Sequence, residues 1–195
     1  MYSMVQAGSM GAPFVAVRGL LGGDLLKHRP DLRVIMNPFQ ERDAVVVAPP
    51  IRPDVAVFHA ARADRLGNAI TLGERRDDLM LARAARRVVV TAEEIVEKEL
   101  KPGAAGTFLP AIDVDQVVCV PGGAHPAGCT KRYACDRIHL GEYLEAAKDG
   151  STFKAYLEKY VFGPRDHRAY LSRVGFRPRK KRGQDAWRNP IPPKS

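Results

Sequence analysis

The stretch from Asp77 to Val90 limits what this chain can fold into more than any other. Asp77 and Asp78 open a helical pattern that runs to Arg87, with acids at its start and arginines at its end to suit the helix dipole. Leu79, Ala82 and Arg86 share one face, and Leu81 and Ala85 lie beside it. Val88-Val89-Val90 follows directly. A run of β-branched apolar residues has no face to offer to water, so it is expected as a strand buried in a parallel sheet. Other strand candidates are Phe14–Val17, Val34–Met36, Ala44–Ala48, Val55–Ala60 and Val117–Val120. Pro49-Pro50-Ile51-Arg52-Pro53 breaks the third from the fourth. Gly67 to Leu72 reads as a turn into a strand that forms a hairpin with the strand before it. Residues 2–10 read as a helix ended by Gly11 and Pro13, and residues 136–148, 151–161 and 164–173 as helices. Thr91-Ala92-Glu93-Glu94 matches a capping box, which predicts a helix start there. The expected class is therefore α/β: an open, largely parallel sheet with flanking helices, and a helical C-terminal end. One domain is expected over residues 1–175, with a flexible basic, proline-rich tail over 176–195.

A chain of 195 residues with 45% apolar content can bury a full core. No apolar run nears the ~20 residues that span a bilayer, and no signal-peptide pattern opens the chain, so a cytoplasmic, non-membrane protein is expected. Three cysteines, Cys119, Cys129 and Cys135, are too few and odd in number for a disulfide framework. The net charge of +9 is uneven. From Arg177 onward seven basic residues face Asp185 alone, a net +6, which leaves +3 for the first 176 residues. That distribution reads as a solvated tail and disfavours nucleic acid as a partner.

Val120-Pro121-Gly122-Gly123-Ala124-His125-Pro126 has the form of a binding loop. A short apolar strand leads into a proline and two glycines, where a backbone can approach a ligand closely. The same glycines also fit a tight turn with no ligand, with Gly123 expected at positive φ. Asp136 and His139 stand three apart at a helix start, so Asp136 reads as an N-cap; His139 is either a first-turn residue or a donor lining the site. His59 ends an apolar strand and points either into a crevice or into the core. Arg18-Gly19 opens a glycine loop, and the planar fork of Arg18 suits a carboxylate or a surface contact equally. Arg62, Asp64 and Arg65 read as an exposed charged turn. His125, Cys129, Cys135 and His139 carry zinc-type donors, but their spacing lacks the close pairs of structural zinc sites, and no metal is expected. Nucleophile-elbow, P-loop and dinucleotide motifs are absent from the sequence.

Four blocks in one order carry a family resemblance. Gln6-Ala7-Gly8-Ser9-Met10-Gly11-Ala12-Pro13-Phe14 with Val17-Arg18-Gly19-Leu20-Leu21-Gly22 is the first. Pro53-Asp54-Val55-Ala56-Val57-Phe58-His59-Ala60 with Arg62-Ala63-Asp64 and Gly67-Asn68 is the second, and Ala82 to Val96 the third. The fourth is Pro121-Gly122-Gly123-Ala124-His125-Pro126 with Tyr133, Asp136, His139 and Tyr143. Together they resemble the A (alpha) subunits of family I CoA-transferases of the glutaconate type, over about residues 2–175.

The resemblance implies an A (alpha) subunit of an enzyme that moves coenzyme A between carboxylic acids. Coenzyme A would be a co-substrate, with no resident cofactor. A B (beta) subunit would be the partner and would carry the nucleophilic glutamate in a Ser-Glu-Asn-Gly-like motif that this sequence lacks. No catalytic residue is therefore assigned to this chain. Arg18, Gly19, His59, Gly122, Gly123, Ala124, His125 and His139 are the candidates for binding acyl-CoA or its carboxylate. The resemblance also implies two alternatives: the alpha-type subunit of a CoA-thioester ring-opening hydrolase of steroid-type catabolism, and a non-catalytic remnant. The family's alpha subunits carry a further N-terminal region before the block that begins near Tyr2, so an incomplete domain is expected.

Overall fold

A computed structural model describes residues 1–72, 77–103 and 106–176. The expected basic tail, apart from Phe176, lies outside the described residues. The chain divides into two compact units, Met1–Val57 with Arg76–Val89 and Phe58–Arg75 with Val90–Ser195.

In the first unit α1 (Tyr2–Ser9) leads to β1 (Val15–Val17), a short helix α2 (Leu25–His28), β2 (Arg33–Met36) and β3 (Ala44–Ala48). The strands form an antiparallel sheet in the order β1-β3-β2, with Val17 opposite Val46 and Val34 opposite Val46 from the other side. β3 sits in the middle because Val45, Val46 and Ala48 are all buried, whereas every residue of β2 is exposed. Met4, Leu32, Val46 and Ala48 form the core, with Val15, Val17, Leu20, Leu26 and Ile51 against it. α1 also packs on α3 (Asp78–Ala84). Gly8 permits this approach, since a β-carbon there would stand 2.1 Å from the Ile51 carbonyl oxygen and 3.4 Å from Ala84. α3 stops short of the expected Arg87 for a clear reason. The amides of Arg86 and Arg87 donate to the carbonyls of Pro53 and Asp54 at 2.9 and 3.1 Å, so they serve a sheet rather than a helix.

The expected parallel sheet is present. It contains β4 (Ala56–Ala60), β7 (Val88–Ala92) and β10 (Gln116–Cys119) in the order β10-β7-β4. Hydrogen bonds advance in step along both strands, from Ala56 N to Arg87 O and from Glu93 N to Ala60 O. Val88, Val90 and Ala92 are buried. The second unit adds a small mixed sheet in the order β8-β5-β6-β9, from β5 (Arg62–Asp64), β6 (Ala69–Thr71), β8 (Ile95–Val96) and β9 (Thr107–Leu109). The hairpin partner of β6 is β5, not the longer strand before it.

Asp64 corrects the reading of an exposed charged turn. It is fully buried. Its carboxylate accepts from the amides of Leu66 and Asn68 (2.9 Å each), from Asn68 Nδ2 (2.8 Å) and from the Leu100 amide (2.8 Å). Burial pushes its pKa up, but these four bonds outweigh burial and hold it below the usual carboxylate value. The alternation of charge in Arg62-Ala63-Asp64-Arg65 hides this, because only tertiary contact supplies the Leu100 amide.

Among the described residues three helices follow β10: α4 (Arg137–Ala146), α5 (Gly150–Leu157), which runs into a π-helical turn at Glu158–Phe162, and α6 (His167–Arg173). Each starts on an aspartate, Asp136, Asp149 or Asp166, whose side chain accepts a first-turn amide.

Asp64→Asn turns an acceptor into a donor that faces amide donors, and it should cost about 3 kcal/mol of stability by denaturant titration. The wild-type contribution is present above the unfolded pKa of about 3.9 and is lost as pH falls through the lower folded value. An acid unfolding profile identical in wild type and variant would refute this role.

Candidate functional site

The second unit gathers a polar cluster at the ends of β4, β7 and β10, built on the buried carboxylate of Glu93. Glu93 Oε1 accepts from His59 Nε2 at 2.7 Å and from the Tyr133 hydroxyl at 2.6 Å. Both of its oxygens lie 3.0 Å from the Gly122 amide. Burial raises the Glu93 pKa, but the bonds from His59, Tyr133 and Gly122 outweigh it, and the net displacement is downward. The Tyr133 pKa moves up, through burial and then through its bond to Glu93, so its hydroxyl stays a donor.

Neighbouring loops set the cluster in place. His59 Nδ1 lies 2.9 Å from Thr91 Oγ1, which lies 3.2 Å from the Phe58 carbonyl. Tyr133 is delivered by a tight turn in which Cys129 and Tyr133 exchange two backbone bonds. The Tyr133 hydroxyl also accepts the Ala124 amide at 3.0 Å. The Gly123 amide goes to Val120 O and the His125 amide to Gly122 O. Every amide from Gly122 to His125 thus has an acceptor inside the chain.

The two glycines have different reasons to be there. Gly122, not Gly123, holds positive φ (77°), and a β-carbon on it would lie 2.8 Å from the Phe176 ring. On Gly123 a β-carbon would lie 2.8 Å from both His59 Cε1 and the Val120 oxygen. Phe176, placed by the sequence at the head of the tail, packs here, 4.9 Å from the Tyr133 ring and 5.0 Å from His125.

His125 continues the network. Its side chain is almost wholly buried, with Nδ1 at 2.7 Å from the Tyr170 hydroxyl and Nε2 at 3.2 Å from Asp136 Oδ2. Asp136 also caps α4 by accepting the His139 amide, and that bond, then the one from His125, lowers its pKa. The His139 ring lies 5.3 Å from His125 and meets the Tyr156 hydroxyl at 2.9 Å. Burial, then the nearby His125, lowers the His139 pKa and favours its neutral imidazole.

His59, Gly122, Gly123, Ala124, His125 and His139 therefore stand in one unit and one network. Arg18 and Gly19 belong to the first unit, where an exposed Arg18 pairs with Asp43 at 3.0 Å and Gly19 has φ 88°. Sequence reasoning misses Glu93, Glu94, Arg132, Tyr133, Tyr156 and Tyr170. The capping-box pattern puts Glu93 and Glu94 at a helix start, but the next element after them is the short strand β8, not a helix. Both acids are buried, and Glu94 pairs with Arg132 at 2.6 Å. Two acids directly after an apolar strand are the available signal, since strand ends are where such sheets place their sites.

Among the described residues one set of three metal-type donors gathers, His59, Glu93 and Cys129, with donor atoms within 4.8 Å of one another. It differs from the set read from the sequence and shares only Cys129 with it. Burial, then the charge of Glu93, pushes the Cys129 thiol up to about 11, so it is a neutral thiol at pH 7. His59 and Glu93 already satisfy each other, so elemental analysis of protein purified without chelators should find no stoichiometric zinc. One zinc per chain would reverse that expectation.

Glu93→Gln places an amide where three donors converge, and it should cost about 2–4 kcal/mol. The stability that Glu93 supplies is present above its unfolded pKa of about 4.3 and is lost as pH falls through the lower folded value. The variant should lack that part of the acid dependence. Gly123→Val should destabilise by about 1–3 kcal/mol through the His59 contact. Melting temperature and kcat/KM of the same variant separate a stability effect from a loss of binding.

Comparison with known proteins agrees with this architecture. The family model described as Coenzyme A transferase matches residues 1–120. The A subunit of 3-oxoadipate CoA-transferase from Pseudomonas knackmussii is 35% identical over 168 residues, which is 86% of this chain and 59% of that protein. The A subunit of glutaconate CoA-transferase from Acidaminococcus fermentans is 33% identical over 190 residues, 89% of this chain and 59% of that protein. The crystal structure of glutaconate coenzyme A-transferase from that organism matches with a TM-score of 0.81 at 32% identity, over 89% of this chain and 60% of that one. The IpdA component of the cholesterol ring-cleaving hydrolase of Mycobacterium tuberculosis is 28% identical over 184 residues, 88% of this chain and 62% of that protein. The chain spans about 60% of the length of these relatives. With its strand order, its parallel sheet and its family match over most of its length, the chain belongs to the coenzyme A transferase family.

Proposed function

We propose that this chain is the alpha-type part of a CoA-transferase that moves coenzyme A between carboxylic acids, completed by a beta-type subunit that supplies the nucleophilic glutamate. The observation that carries the reading is the match to glutaconate coenzyme A-transferase at a TM-score of 0.81. The site chemistry supports the division of labour. A transferring glutamate must present a free carboxylate to a thioester. Glu93 is buried and holds three donors, and Glu94 is buried against Arg132, so both serve the scaffold.

In such a transfer the glutamate carboxylate adds to the thioester carbonyl and expels coenzyme A as thiolate, leaving a mixed anhydride. The thiolate then attacks the glutamyl carbonyl, forms a glutamyl thioester and releases the first acid. The second acid completes the exchange by the reverse steps. This chain's part is to wall the acyl-CoA site with its His59–Glu93–Tyr133 cluster and the loop that the cluster holds. The chemistry needs no resident cofactor or metal. Among the described residues no helix is long and apolar enough to cross a membrane, and we place the reaction in the cytoplasm, without a nucleic-acid partner.

A second reading, hydrolytic opening of a ring carried on a CoA thioester, draws on the 28% identity to the IpdA component. One experiment separates the two. Co-expression with a beta-type subunit from the same genome should give a stable hetero-oligomer that exchanges coenzyme A between an acyl-CoA and added carboxylates. In ¹⁸O-labelled water, transfer leaves the released acid unlabelled, whereas hydrolytic ring opening puts the label into the carboxylate formed at the opened ring and leaves the CoA thioester intact. Full transfer activity from a monomer of this chain alone would sink the proposal.

A further inference from the structure

The turn from Cys129 to Tyr133, in the second unit, carries two cations that the transfer chemistry has not used. Its base is closed by paired backbone bonds, Cys129 N to Tyr133 O at 3.1 Å and Tyr133 N to Cys129 O at 3.0 Å. Between them Lys131 holds φ 64°, in the left-handed region that lysine seldom adopts. A fold keeps such a residue where neighbouring contacts over-determine the backbone, and these positions gather at functional sites. Here the two residues after Lys131 are fastened to the strand ends that carry the candidate site. Arg132 reaches Ala61, just past β4, and Glu94, just past β7. Tyr133 reaches Glu93 and the Ala124 amide.

Arg132 is fastened through one nitrogen. Its Nη2 donates to the Ala61 carbonyl at 2.9 Å and to Glu94 Oε1 at 2.6 Å, which uses both hydrogens of that nitrogen. Among the described residues Nε and Nη1 have no acceptor. No buried side-chain nitrogen lacks a partner there, so these donors are open to solvent, although the side chain as a whole is only 25% exposed. A guanidinium gripped at one end by a buried carboxylate and a strand carbonyl is in place before any ligand arrives. Lys131 is exposed and makes no ion pair among the described residues. Glu94 offsets the charge of Arg132, so Lys131 supplies the attraction for an anion and Arg132 supplies the direction.

We propose that Arg132 and Lys131 form a subsite for a second, non-reacting carboxylate of the acid substrate, an inference that rests on the CoA-transfer reading and adds a substrate preference. One carboxylate oxygen accepts from Arg132 Nη1 and the other from the Lys131 ammonium, two charge-assisted bonds. The reacting carboxylate is a poorer occupant. It must attack a carbonyl, and bonds from two cations withhold the lone pairs it attacks with. A phosphate is poorer too, because a dianion beside Glu94 meets more repulsion than a monoanion does. The chain is therefore expected to favour acids with a carboxylate at each end.

The test compares straight-chain dicarboxylates of four to six carbons with monocarboxylates of the same lengths. They serve as acceptors for the assembled complex and as titrants in calorimetry. Lys131→Gly removes the charge and suits φ 64°, so the turn is retained. Arg132→Lys removes Nη1 and keeps a cation for the buried Glu94. Melting temperatures check both folds, and Lys131→Gly decides alone where Arg132→Lys does not fold. At least one dicarboxylate should bind about tenfold more tightly than its monocarboxylate. Each variant should abolish that preference by raising the KM and Kd of the dicarboxylate, with a smaller effect on the monocarboxylate. A wild type without the preference, equal losses for both acids, or a higher KM for acyl-CoA alone would each overturn the proposal. The two readings fail separately. A binding preference that the variants abolish, in a complex that transfers nothing, keeps the subsite and removes the transfer reading. Transfer with an unaltered KM for every dicarboxylate in the variants does the opposite.

Discussion

A single buried carboxylate organises the candidate site. Glu93 draws together a histidine from one strand end, a tyrosine from a distant turn and a backbone amide from the glycine loop. A carboxylate buried without such donors would take up a proton or be excluded from the interior. The need to satisfy it therefore fixes where His59, Tyr133 and Gly122 stand. Tyr133 in turn holds the Ala124 amide, and Gly123 can pass close to His59 only because it lacks a β-carbon. The loop owes its shape to the inside of the protein, and its glycines have a structural reason independent of any ligand.

Asp64 plays the same part in the small mixed sheet. It ties the β5–β6 turn to the Leu100 amide, while Asn68 Oδ1 holds the Ala111 amide at 2.8 Å. Two buried acids with many donors thus pin loops that would otherwise have only short strands to hold them. A β-sheet of two- and three-residue strands has few ladder bonds, so side-chain acceptors supply the missing order.

The histidines form a second layer. His125 and His139 are joined to Asp136, Tyr156 and Tyr170, and lie between the glycine loop and the terminal helices. Each ring nitrogen of His125 has its own partner, which sets the ring's orientation and proton position. The helical end is thereby coupled to the loop through named hydrogen bonds, and Phe176 adds packing from the same side.

The sequence by itself determined the longer apolar strands, because a β-branched run such as Val88-Val89-Val90 has one physical solution, burial in a sheet. It also determined the aspartate cap at Asp136, which acts on an amide three residues away. The collinear blocks were enough to name the family. Tertiary structure alone decided the roles of Glu93, Asp64 and Tyr133. Each has a partner 29 to 40 residues away, and a local rule assigns Thr91-Ala92-Glu93-Glu94 to a helix cap. A motif within four residues records only short-range hydrogen bonding. Whether an acid caps a helix or anchors a core depends on which donors the fold brings to it, and those donors are distant in sequence.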